Sequence, residues 1–207
     1  MNEDLFDNAR WLIGAIARGL AARPGEGVDE VLGRLAEQAI GEAAFRNPDP
    51  VRLPVLQYLP DCIGEVMLLD PDLAAAIAAT EADLQWRQTA SYSDRVLGEG
   101  FTDNYGWAEI IGPHGVFPGD DFLLGLLMLG PGRHYKDHYH PAPELYWPLT
   151  GPSDWKMGAG GYEARAAGET IWHIPWKVHA TATADKPLLA VWCWTRDTGT
   201  PAKLIGG

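Results

Sequence analysis

From Gly132 the chain runs Gly-Arg-His-Tyr-Lys-Asp-His-Tyr-His-Pro-Ala-Pro-Glu-Leu-Tyr to Tyr146, and this stretch constrains the fold more than any other. Side chains alternate across an extended strand with period two, so His138 and His140 leave the same face. Glu144 and Tyr146 keep that parity. With the backbone roughly extended through Pro141 and Pro143, two imidazoles, a carboxylate and a phenol share one face, which combines metal-ligand types with an acid-base candidate. Such a site is closed by one more histidine. His173 and His179 are the two downstream, and His179 follows a turn-like Pro175-Trp-Lys and opens an apolar strand.

The spacing adds to this. Five residues separate Gly132 from His138, three separate His140 from Glu144, and six separate Glu144 from Gly151. That arrangement resembles the first motif of the cupins in all of its fixed residues. The second cupin motif is less well kept: Gly168 and Pro175 precede His179 with each spacing off by one, and Thr183 stands where the family usually has Asn. His179 remains the best fourth ligand.

Length and composition set the frame. A chain of 207 residues, 46% apolar and 21% charged, suffices for one well-buried domain or one domain with a helical extension. No apolar run approaches the roughly 18 residues that span a bilayer, and the start Met1-Asn-Glu-Asp-Leu lacks a basic leader region. A cytoplasmic protein is the expectation. Cys62 and Cys193 lie far apart among apolar neighbours, as buried free thiols do. A net charge of −12 argues against nucleic acid and anionic membranes, and tolerates a cationic or zwitterionic small ligand.

The N-terminal part reads as helical. Leu5, Ala9, Leu12, Ile16 and Leu20 recur at helical spacing up to Arg23-Pro24-Gly25. A second such pattern runs from Val28 to Phe45, stopped by Asn47-Pro48-Asp49-Pro50. Pro54 and Pro60 interrupt the apolar run from Val51 to Leu69, which predicts short helical turns and loops. Asp70-Pro71 is a helix start for Leu73 to Ala79. Beyond about residue 85 the character changes to short strands rich in Trp, Tyr and Thr, separated by glycine turns, which predicts an antiparallel barrel or jelly roll. Gly158-Ala-Gly-Gly161 reads as a hairpin turn, since no Lys-Ser/Thr follows it. Residues 1–85 are expected to form a helical region packed on the barrel of residues 86–207.

Taken together, Tyr135, His138, His140, Glu144, Tyr146, His179 and Trp194, with the helix-then-barrel order, resemble the cupin-type dimethylsulfoniopropionate (DMSP) lyases. The resemblance implies a mainly β cupin (double-stranded β-helix, jelly-roll) barrel with an N-terminal helical part. It implies one divalent transition metal ion (Zn, Fe, Mn, Ni or Co) held by His138, His140, Glu144 and His179. It also implies Tyr146 as general base, and Tyr135 as a second pocket tyrosine that assists or replaces it, although a regular strand would turn Tyr135 away from His138. The reaction implied is a β-elimination giving dimethyl sulfide and acrylate. Nine tryptophans are many for this length, and Trp147, Trp172, Trp176, Trp192 and Trp194 flank the two motifs. Indole faces attract a sulfonium, so Trp194 and Trp172 join Tyr135 as candidate substrate-binding residues. His134 and His173 are expected at structural or rim positions, and His114 in a turn.

The expected partner is a small zwitterionic or carboxylate substrate, with a homodimer an allowed assembly and neither nucleic acid nor membrane involved. Three rival readings use the same ligands: a family member acting on another small carboxylate, an Fe(II)-dependent cupin dioxygenase, and a non-enzymatic small-molecule sensor.

Overall fold

The structure, a computed structural model, describes residues 2–206. Helix α1 (Glu3–Ala21) begins where Asn2 accepts a hydrogen bond from the Leu5 amide at 3.2 Å. Its apolar stripe, Leu5, Leu12, Ile16 and Leu20, is buried. Helix α2 (Val28–Ala36) is shorter than its sequence pattern. Gln38 accounts for this: its side chain donates to the Arg34 carbonyl at 3.0 Å and accepts from the Asp120 amide at 2.8 Å, which ends the helix and ties it to a barrel loop. The rest of the pattern holds only a short 3₁₀ turn at Glu42–Ala44.

Pro54 and Pro60 do not break structure. Each sits in the first turn of a helical segment, the 3₁₀ helix Pro54–Tyr58 and helix α3 (Leu59–Leu69), where a missing N–H leaves no intrahelical bond unmade. Helix α4 (Pro71–Thr80) starts at the expected cap, with Asp70 accepting from the Leu73 amide at 3.1 Å. A single helical turn, α5 (Asp94–Leu97), lies in the region read as strands.

Among the described residues ten strands follow: β1 (Tyr105–Ile111), β2 (Leu123–Leu129), β3 (His134–Tyr139), β4 (Glu144–Pro148), β5 (Ser153–Met157), β6 (Tyr162–Arg165), β7 (Ile171–His173), β8 (His179–Ala182), β9 (Leu188–Trp194) and β10 (Lys203–Leu204). They form two antiparallel sheets, ordered β1-β2-β9-β4-β7 and β10-β3-β8-β5-β6. This is a cupin-type double sheet, and Gly158–Gly161 is the hairpin turn between β5 and β6.

Strand parity divides the first sheet cleanly. Ile110, Leu126, Leu145, Trp147, Val191 and Cys193 face the helices and join their core. Tyr105, Leu127, Tyr146, Ala190 and Trp192 face the barrel interior. A sheet covered on both faces reads as continuous apolar sequence, which is what Leu123–Leu129 is. The helix layer approaches closely: a Cβ on Gly19 of α1 would lie 2.2 Å from the Trp147 ring. Burying such side chains stabilises by about 1.5–3 kcal/mol each.

The same parity corrects one expectation. Trp172 is not in the pocket. It pairs with Leu145 across β4 and β7, on the helix-facing side, where a Cβ on Gly27 would lie 2.1 Å from its ring. Trp147 shares that face, and Trp176 is 59% exposed.

Candidate metal centre and active site

Strands β3, β4 and β8 bring four buried polar side chains together. His138, His140 and His179 present nitrogens within 4.8 Å of one another. Glu144 Oε2 lies 3.0 Å from His140 Nε2 and 3.2 Å from His179 Nε2.

Their hydrogen bonds fix what this cluster needs. His138 Nδ1 contacts the Lys136 carbonyl at 2.8 Å, His140 Nδ1 the Ala142 carbonyl at 2.9 Å, and His179 Nδ1 the Lys177 carbonyl at 2.8 Å. A carbonyl only accepts, so each Nδ1 carries a proton and each ring turns its Nε2 inward. Two of those nitrogens face a carboxylate oxygen. His179 Nε2 is buried without a hydrogen-bond partner. A proton or a metal cation has to sit between such nitrogens and the carboxylate, and three imidazole nitrogens with one carboxylate oxygen are a donor set suited to a divalent transition ion.

The electrostatics agree. Burial holds His138 well below its ordinary range, so it stays neutral. Burial works to raise Glu144, but the adjacent His140 outweighs it and the carboxyl is held well below the usual range. Trp194 completes the support, with Nε1 donating to Glu144 Oε1 at 2.7 Å and its ring stacked on His140, centroids 4.3 Å apart.

Tyr135 is where simple alternation fails. Tyr135 pairs with Thr181 but His138 pairs with His179, so three steps on β3 oppose two on β8. This bulge returns Tyr135 to the face of His138. The rings stack with centroids 4.0 Å apart and planes 12° from parallel, and the Tyr135 hydroxyl hydrogen-bonds that of Tyr92 at 2.7 Å. Tyr146 follows Glu144 by two residues and shares its face. Burial, with the Glu144 carboxylate adding to it, holds the Tyr146 phenol well above its ordinary value.

Pro175-Trp-Lys is the turn before β8, anchored by the Trp176 amide donating to the His140 carbonyl at 2.8 Å. Thr183 tethers the start of β3, donating to the Gly130 carbonyl at 2.7 Å and accepting from the Arg133 amide at 2.9 Å. His173 is buried opposite Glu144 in register and stacks on His179 at 4.1 Å. His134 lies outside, against Tyr162. Cys62 and Cys193 are free and buried.

A cavity of about 370 Å³ runs from Glu144 along the inner face of the first sheet, walled also by Tyr135, Tyr146, Trp192 and Trp194. It continues to Trp107 and Glu109 on β1, residues that the sequence reading passed over. The signal was there: Tyr105, Trp107 and Glu109 alternate in an otherwise apolar strand. Among the described residues, no helix is long and apolar enough to cross a membrane.

Comparison with known proteins agrees with this geometry. A family model described as dimethylsulfoniopropionate lyase matches residues 28–190. The dimethylsulfoniopropionate lyase DddQ of Ruegeria pomeroyi is 31% identical over 159 residues, spanning 73% of this chain and 74% of that protein. The crystal structure of DddQ from the same organism superposes with a TM-score of 0.69 at 26% identity, covering 96% of both chains. A chain from the crystal structures of the DMSP lyases RdDddP and RnDddQII gives a TM-score of 0.71 at 22% identity, covering 96% of this chain and 98% of that one. The chain belongs to the dimethylsulfoniopropionate lyase family.

Proposed function

We propose that this protein cleaves dimethylsulfoniopropionate to dimethyl sulfide and acrylate by a β-elimination in which Tyr146 takes the proton. The observation that carries the reading is the convergence of three inward Nε2 atoms and the Glu144 carboxylate, with two phenols lining the adjoining cavity. His138, His140, Glu144 and His179 would hold the ion. The chemistry that a divalent transition ion supplies to such a set is Lewis-acid withdrawal of electron density from a substrate carboxylate, which acidifies the adjacent C–H.

The chain's own residues do the rest. Tyr146 Oη removes the proton from the carbon next to the carboxylate. The electron pair left behind forms the C=C bond, the C–S bond breaks, and its pair leaves on sulfur as neutral dimethyl sulfide. Burial and Glu144 favour the protonated phenol, so the phenolate needs positive charge nearby, and the substrate's sulfonium brings one. Tyr135, flat on His138 and bonded to Tyr92, orients this wall and assists the proton transfer. Trp194 holds Glu144 and offers an indole to the sulfonium.

The test is incubation of metal-loaded protein with DMSP, with dimethyl sulfide read by gas chromatography and acrylate by liquid chromatography. The two products are expected in equal amounts and absent from a His140→Ala protein. No dimethyl sulfide at any metal loading removes the assignment.

A further inference from the structure

The cavity is longer than the substrate proposed above. A three-carbon acid spans roughly 4–5 Å from its carboxyl carbon to the atom on its β-carbon, about one strand spacing. From β4, which carries Glu144 and Tyr146, the cavity crosses β9 and β2 to Trp107 on β1. That is three strand spacings, roughly 14 Å. A volume of about 370 Å³ lies in the range that encloses drug-sized ligands, which are much larger than DMSP.

The stretch beyond Tyr146 is apolar and smooth. Tyr146, Trp192 and Gly125 stand in one register row across β4, β9 and β2. A Cβ on Gly125 would lie 2.8 Å from Trp192 Nε1 and 2.1 Å from the Ala108 carbonyl oxygen, so glycine alone fits there. The indole therefore lies down on the sheet, held by Nε1 donating to the Leu126 carbonyl at 3.1 Å. It forms a floor. Leu123 and Leu127 flank Gly125 two residues away on the same face of β2, and both line the cavity. The Trp107 ring meets that of Trp192 edge to face at 6.1 Å. Polar side chains return at the far end, with Arg87, Glu109 and His114. A group no longer than a methyl on the leaving atom leaves most of these apolar walls uncovered.

We propose that this stretch binds an alkyl arm on the leaving group: the preferred substrates are 3-sulfoniopropanoates in which one sulfur methyl is replaced by a longer chain, which lies on Trp192 between Leu123 and Leu127 and reaches Trp107. The carboxylate stays at the Glu144 end and Tyr146 takes the proton from the carbon beside it. The C–S bond breaks with its electron pair on sulfur, and a neutral alkyl methyl sulfide leaves with acrylate. Each CH₂ moved from water onto such walls favours binding by about three- to fourfold. Selection by arm length is thus a property of Leu123, Leu127 and Trp107, set apart from the residues that do the chemistry. The inference rests on the lyase reading for the placement of the carboxylate.

The first probes are propanoate and nonanoate, titrated calorimetrically into zinc-loaded protein. The wild type is expected to bind nonanoate at least about a hundredfold more tightly. Leu127→Trp fills the space two strands from β4, and is expected to bring nonanoate within about fivefold of propanoate. Trp107→Gln, on the edge strand β1, is expected to weaken nonanoate about threefold or more and to leave propanoate within about twofold. Similar affinities in the wild type, binding of neither probe, or a ratio unchanged in Trp107→Gln overturns the proposal, even where Leu127→Trp fails to fold. The second probes are DMSP and 3-(hexylmethylsulfonio)propanoate, with the sulfides read by gas chromatography. The hexyl compound is expected to have the higher kcat/KM by at least about tenfold. Dimethyl sulfide release with no gain for the hexyl compound removes the arm site and leaves the lyase. Tighter nonanoate binding, lost in Leu127→Trp, with no sulfide from either compound removes the lyase and leaves the arm site.

Discussion

The ring of Tyr135 lies flat on that of His138, with centroids 4.0 Å apart and planes 12° from parallel. The contact exists because β3 carries one residue more than β8 between these two positions. Tyr135→Phe keeps the stack and removes the hydroxyl bonded to Tyr92. Metal content, measured by plasma mass spectrometry, is expected to stay at the wild-type level while kcat falls about tenfold to a hundredfold. Deleting Asp137 removes the extra residue and turns Tyr135 out of the barrel, and a larger loss is expected.

Trp194 supports Glu144 and His140, two of the proposed ligands. Trp194→Phe retains an aromatic ring over His140 but loses the donor at 2.7 Å from Glu144 Oε1. Loss of a hydrogen bond that orients a metal ligand typically costs about 10–100-fold in metal affinity. Competition with a chromogenic chelator reads this directly, and an unchanged affinity would show that Glu144 needs no such support.

Glu109 trades stability for its place in the cavity. Its carboxyl is raised from the ordinary 4.5 to about 7, so the folded protein holds this proton more tightly than the unfolded chain. The stabilising contribution is complete below pH 4.5 and is lost as pH rises to about 7. Glu109→Gln is then neutral near pH 4.5 and stabilising by up to about 3 kcal/mol at pH 8. Urea unfolding of both proteins at the two pH values checks the sign. A Gln protein less stable than the wild type at pH 8 contradicts it.

Metal removal has a structural consequence as well. Without an ion, Glu144 Oε2 lies 3.0 and 3.2 Å from the His140 and His179 Nε2 atoms with no metal to join them. The melting temperature is expected to fall on chelation and to recover with added zinc, by the mass-action stabilisation any native-state ligand gives. His179→Ala is expected to lose this response while remaining folded.

Most of the barrel and the proposed ligand set are legible in the sequence because both depend on alternation and spacing, which are local. His138, Glu144 and Tyr146 share parity on β3 and β4, His140 stands just past the end of β3, and His179 opens β8 after its turn. Parity also assigns Trp172 and Trp147 to the helix-facing side, once His173 and Tyr146 are set inward. That step is open to the sequence. The bulge at Lys136-Asp137 was not open to it, since an extra residue on one strand is defined only against its partner. Helix α3 hid behind Pro60, which acts as a breaker inside a helix and as a starter in its first turn. Strand β10 is two residues long and exists through its pairing with Tyr139 and His138.

The most direct measurement is the rate of dimethyl sulfide release by wild type and Tyr146→Phe at matched metal occupancy. Full occupancy is expected in both proteins, with a rate in Tyr146→Phe lower by about a hundredfold or more. A Tyr146→Phe protein that releases dimethyl sulfide at the wild-type rate, or a fully loaded wild type that releases none, contradicts this expectation.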